Sequence, residues 1–113
     1  MNSKPINTII ILVTAKGNAQ AEKIARRLLE SKLIACANIL DGVRSLFWWG
    51  GKIDASKEVL LVLKTKKNLF KKIVTQVKSM HSYETPEIIA LPIIDGSRDY
   101  LNWIESSVKV GRS

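Results

Sequence analysis

Cys36 is the only thiol of the chain and stands in the small-residue run Ala35-Cys36-Ala37-Asn38. In an extended segment side chains alternate, so Cys36 and Asn38 share a face. Where that face lines a cleft, a soft sulfur ligand and an amide project together; the competing reading of Cys36 is a small buried hydrophobe. His81 is the only histidine and opens the run His81-Ser82-Tyr83-Glu84-Thr85-Pro86-Glu87, which packs an imidazole, a phenol and two carboxylates into seven positions. A neutral imidazole ligates Cu(II), Ni(II) or Zn(II), while a histidine at the end of a helix serves equally well against the last carbonyls. Lys64 closes the apolar run Val59-Leu60-Leu61-Val62-Leu63, where an ammonium can meet a phosphate, a carboxylate or Glu87. A nucleophilic Cys36–His81 site requires the two to lie close in space. The signatures GxxxxGKS/T, GxGxxG, HExxH, CxxC and GxSxG are all absent.

These residues need a scaffold, and 113 residues suffice for one domain, expected to run over 1–113. Hydrophobic residues at 46% and charged residues at 25% exclude disordered, collagen-like and coiled-coil classes. No apolar run approaches the ~20 residues of a membrane helix. Lys4 precedes the first apolar run, and Thr14-Ala15-Lys16 after it makes no signal-cleavage site, so the expected location is cytoplasmic. A lone cysteine makes no internal disulfide and holds no structural zinc by itself. The net charge of +8 directs attention to nucleic acid, anionic ligands and acidic partners. Lys64, Lys66, Lys67, Lys71, Lys72 and Lys78, with no acid between them, form an anion-binding or nucleic-acid patch or, more simply, the solvated face of a helix.

Ile6 to Val13, after Pro5, reads as a central strand. From a cap at Asn18, Ala21, Ile24, Ala25, Leu28 and Leu29 repeat at helical spacing. A second amphipathic helix is expected over Asn68 to His81. Between the helices, Ile34 to Trp48 and Lys52 to Lys64 are extended and joined through Gly50-Gly51, a hairpin turn with positive φ. Glu87 to Leu91 follows Pro86 as a last core strand, and Ser97 caps a short terminal helix carrying Leu101, Ile104 and Val108. The order βαββαβ predicts an α+β, ferredoxin-like sandwich with an extended central hairpin and a short C-terminal helix. RNA-recognition domains share that order, but Lys57 to Lys64 supplies none of their stacking aromatics, so specific nucleic-acid binding is not expected. Hairpin arms of about fourteen residues far exceed the usual ~5 or 6, so the ribbon projects and its tip, Leu46-Phe47-Trp48-Trp49, needs a partner. Self-association through Phe47, Trp48 and Trp49 follows, with Asp41-Gly42 expected as a bulge or bend.

Ala35-Cys36-Ala37-Asn38, Ser45-Leu46-Phe47-Trp48-Trp49-Gly50-Gly51-Lys52-Ile53, Glu58-Val59-Leu60-Leu61 with Lys64-Thr65, His81 to Ile88, and Asp99-Tyr100-Leu101-Asn102-Trp103 together resemble the CutA family of divalent-cation tolerance proteins. The resemblance runs from about Thr8 to Trp103. It implies a tight homotrimer similar in architecture to the PII signalling proteins, with inter-subunit clefts, copper or another divalent cation as ligand, and no enzymatic reaction. It places the family's metal ligands at Val13, Met80 and His81, of which only His81 keeps its type, with Cys36 as a further soft donor. Asn38, Lys64, Tyr83 and Glu87 join Cys36 and His81 as the implied cleft set, which suits a small anionic ligand as well as a metal. The alternative is a docking trimer whose basic surface takes an acidic partner, any metal being incidental.

Overall fold

The computed structural model describes residues 6–110; Lys4, Pro5 and the two ends of the expected domain lie outside the described residues. The element order is β1 (Thr8–Ala15), α1 (Asn18–Glu30), β2 (Cys36–Trp49), β3 (Lys52–Lys66), a 3₁₀ turn (Lys67–Leu69) running into α2 (Phe70–Met80), β4 (Ile88–Pro92) and α3 (Arg98–Ser107). The sheet order is β2-β3-β1-β4 with every neighbour antiparallel. This is the ferredoxin-like arrangement, completed by the long hairpin and the C-terminal helix.

Alternation along β1 and β3 decides which face is covered. Ile9, Ile11, Val13, Val59, Leu61 and Leu63 point toward Ile24 and Leu28 of α1 and Ile73 and Val77 of α2, forming one buried core. The other face carries Ile10, Leu12, Leu60, Val62 and Lys64, all half-buried, and Ile89 and Leu91 of β4, both exposed. This is the open face of the sheet.

Several boundaries differ from expectation. The first strand is Thr8–Ala15 rather than 6–13, because β3 offers partners to Val59 and thus extends the ladder over Thr14 and Ala15. Gly17, not Asn18, is the cap of α1; the Asn18 amide instead donates to Asp41 Oδ2 at 3.0 Å. The second helix starts as a 3₁₀ turn and ends at Met80, with His81 already extended. The last strand is Ile88–Pro92, at the sheet edge where a proline costs no ladder bond. Ser97 occupies the α3 cap position without a side-chain bond.

The hairpin is as long as expected. It turns through Gly50 and Gly51 at φ +56° and +77°, angles that suit glycine in a two-residue turn. Since β1 pairs with β3 only from Val59 onward, residues 52–58 of β3 and 43–49 of β2 stand free of the sheet, and the molecule reaches 53 Å in its longest dimension. Leu40 pairs with Leu60 and Val43 with Glu58, so Asp41 and Gly42 together oppose the single residue Val59, the expected bulge. The Asn18 bond and the Gly42 N–H hold the Asp41 carboxyl below its usual pKa and pin the bulge to the start of α1.

Leu61 is fully buried between the sheet and both helices. Leu61→Ala is expected to cost about 2–5 kcal/mol, read as a lowered urea midpoint.

Candidate functional site

The open face carries two polar groups. The first lies where β2 begins: Cys36 pairs with Lys64, and the Lys64 ammonium donates to the Asn38 side-chain carbonyl and lies 3.9 Å from the Cys36 sulfur. Alternation puts Cys36 and Asn38 on one face as expected, and Lys64 joins them from the neighbouring strand. No carboxylate pairs with Lys64 among the described residues, so a half-buried cation on an apolar sheet is met only by neutral groups. Such a cluster attracts an anion.

The second group is built on the loop after α2. His81 Nε2 donates to the Thr14 carbonyl at 2.7 Å, and His81 Nδ1 accepts the Tyr83 backbone N–H at 3.0 Å. One ring nitrogen donating and the other accepting is the neutral imidazole with both nitrogens engaged. The ring thereby anchors the loop to the end of β1 and sets Tyr83 over β3, its ring 4.7 Å from the imidazole. The Tyr83 hydroxyl donates to Glu58 Oε2 at 3.1 Å. Glu58 is only 8% exposed, a buried carboxylate with a phenol as its partner. Burial first, and then the bond to Glu58 and its negative charge, push the Tyr83 phenol above its ordinary pKa.

The two groups are apart within one chain. Lys64 pairs with Ile10 and Leu60 with Thr14, so they are separated by four residues along the sheet, roughly 13 Å. Cys36 and His81 therefore form no nucleophilic pair within the chain. Glu87 is exposed and makes no ion pair with Lys64 among the described residues; the Tyr83 hydroxyl is taken by Glu58. Glu58 is the candidate-site residue that sequence reasoning missed; it alternates with Leu60 and Val62 on the open face, which was the available signal. Phe47, Trp48 and Trp49 lie at the ribbon tip, the two tryptophans each 73% exposed. Phe47 and Trp49 lie on one side of the ribbon, and Leu46, Trp48 and Ile53 on the other.

A four-stranded sheet with this overlong hairpin has close counterparts. The sequence pattern of the CutA1 divalent ion tolerance protein matches residues 9–107. The chain belongs to that family. It is 46% identical over 99 residues to the divalent-cation tolerance protein CutA of Archaeoglobus fulgidus, covering 88% of this chain and 96% of that one. It is 37% identical over 108 residues to the chloroplastic CutA protein of Arabidopsis thaliana, of whose length it spans 59%. Among solved structures, CutA1 from Oryza sativa superposes with a TM-score of 0.90 at 36% identity, covering 95% of this chain and 98% of that one. The Archaeoglobus fulgidus structure, described as a periplasmic divalent cation tolerance protein, superposes with a TM-score of 0.88 at 45% identity, covering 90% and 99%.

These relatives overturn the expectation of a cytoplasmic protein: family members are described as periplasmic and as chloroplastic. The residues used for that expectation, around Thr14 to Lys16, form the end of β1 and the turn after it, and a compartment address is read from a leader rather than from a folded core. No helix among the described residues is long and apolar enough to cross a membrane.

The family relation makes a metal site worth testing against these side chains. Val13 is fully buried against the helices, Met80 packs on the core, and both His81 nitrogens are engaged. Among the described residues, no group of three His, Cys, Asp or Glu is placed to hold a metal ion. The donor set of the described residues does not fit copper.

The Tyr83–Glu58 bond carries its own test. The fold favours the protonated phenol, so its stabilisation is complete below the unfolded tyrosine pKa near 10 and is lost as pH rises through the raised folded value. Tyr83→Phe leaves Glu58 buried without its donor and is expected to cost about 1–3 kcal/mol at neutral pH. Urea midpoints measured across alkaline pH should fall less steeply in the variant.

Proposed function

We propose that this chain works in divalent-cation tolerance as a homotrimer that binds a small polar or anionic ligand, or the cation itself, in clefts between subunits. It acts by binding and not by a reaction of its own. The observation that carries this reading is the ribbon tip: Leu46, Trp48, Trp49 and Ile53 are each about two-thirds or more exposed, an apolar surface that a soluble chain does not leave wet. On the side of Phe47 and Trp49 the ribbon runs into the open face, which carries Leu40 and, across the sheet, Ile89 and Leu91. A second copy of the chain is the cover that brings matching surface to both.

In that assembly the two polar groups of the open face gain neighbours. Lys64 with Cys36 and Asn38 supplies a cation, a thiol and an amide; Tyr83 with Glu58 and His81 supplies a phenol, a carboxylate and a ring held by the backbone. A cleft between subunits that sets one group against the other provides both signs of charge for a small zwitterionic or anionic ligand. Copper is placed on neither ring nitrogen of His81, since coordination there would break the bond to Thr14 or to Tyr83.

Native mass spectrometry with and without added copper tests the assembly and the ligand together. The expected species is a trimer near 38 kDa, three times 12.6 kDa, with copper uptake the same in His81→Ala as in the parent chain. A monomer would refute the assembly, and copper uptake lost in His81→Ala would return the metal to the imidazole. Trp48→Ala and Trp49→Ala should each shift the trimer toward smaller species on dilution, since losing a buried aromatic costs about 3–5 kcal/mol.

A further inference from the structure

The helix layer, on the opposite side of the sheet from the proposed clefts, carries a feature that cation tolerance does not use. Every charged residue between Glu58 and His81 is a lysine. On α2 and the 3₁₀ turn before it, Lys67, Lys71, Lys72 and Lys78 are all exposed and fall on the outer arc, with no acid among them. None of them makes an ion pair among the described residues. Positive charge also flanks the helix: Lys66 and Lys67 border an open cavity of about 450 Å³, with Glu105 its one acid, and Lys72 and Lys109 border a second of about 300 Å³.

Solvation alone does not account for this ridge. Lys71 and Lys72 sit in the first turn of α2, where the helix dipole favours acids, and neither that turn nor the 3₁₀ turn before it holds an acid or a side-chain cap. Lys67 and Lys71 add a like-charge pair at i, i+4. Glutamates at these positions would wet the surface equally and stabilise the helix. A local rule broken on an exposed face, with no compensation inside the chain, marks a surface kept for a partner.

We propose that the outer face of α2 is a docking surface for an acidic helical segment of another protein. Lys67, Lys71 and Lys78 follow one another at i, i+4 and i+11 along a stripe of roughly 17 Å. An acidic helix lying beside α2 has the same rise per residue and matches those charges in register. Single-stranded nucleic acid is the weaker fit, because the exposed arc offers no aromatic side chain for stacking and no arginine fork for phosphate. Docking here leaves the open face and the ribbon free, so it stands whether or not the cleft reading does.

The test uses the full chain with a labelled glutamate-rich helical peptide and a single-stranded oligonucleotide of equal charge, titrated by fluorescence anisotropy from about 0.05 to 0.3 M salt. The peptide is expected to bind more tightly than the oligonucleotide, and more weakly as salt rises. The double variant Lys71→Glu, Lys72→Glu should lose about tenfold or more in peptide affinity while its Tm rises, because the new acids suit the helix start. Lys16→Glu with Lys23→Glu, the same charge change on α1 and the turn before it, should lose less than about threefold. The proposal is overturned by unchanged peptide affinity in the α2 variant, by an equal loss in the control, by a fall in the α2 variant's Tm, or by tighter binding of the oligonucleotide.

Discussion

A four-stranded sheet whose two crossover helices both pack on one side leaves Leu60, Val62, Ile89 and Leu91 on its other side half-buried or exposed, with α3 set against β1 and β3. That asymmetry governs the molecule. It places the core between β1, β3 and the helices, and it makes the remaining face a surface where apolar and polar side chains alternate with the pleat. The side chains of the candidate site therefore lie on a sheet face and on the loop that reaches over it. Their positions are fixed by register, with Cys36 opposite Lys64 and Thr14 opposite Leu60.

Rigid strands hold one of the polar groups and a tethered loop the other. Lys64, Cys36 and Asn38 come from paired strands, so their spacing is the spacing of the ladder. Tyr83 comes from a loop, and the His81 ring gives that loop an anchor by bonding once to the end of β1 and once to the Tyr83 backbone. An imidazole used this way is a structural clamp, and it explains how a loop residue meets a buried carboxylate seven positions beyond the hairpin turn on β3.

The fold was legible because its signals were local: helical spacing on α1 and α2, β-branched runs for the strands, Gly50-Gly51 for the turn and Asp41-Gly42 for the bulge. Boundaries moved where pairing outweighed local pattern, as at Thr14 and Ala15, or where a side chain found a distant partner, as Asn18 did in Asp41. The site was legible only in part. Alternation placed Cys36 beside Asn38, but the Tyr83 bond to Glu58 and the His81 Nε2 bond to Thr14 depend on three-dimensional contacts between residues 25 and 67 positions apart in the chain.

The bulge at Asp41 and Gly42 shifts the phase of β2 by one pleat. An uninterrupted strand would carry Leu46 and Trp48 onto the side of Leu40 and Leu60; the extra residue carries Phe47 and Trp49 there in their place. The two aromatic faces of the tip are thus distinguished by a count of backbone residues more than 10 Å away rather than by the tip's own composition. Losing or gaining one residue at the bulge would exchange the two faces of the ribbon without altering a single aromatic side chain, so in this fold the length of a strand decides which surface is presented, a choice ordinarily read from residue identity.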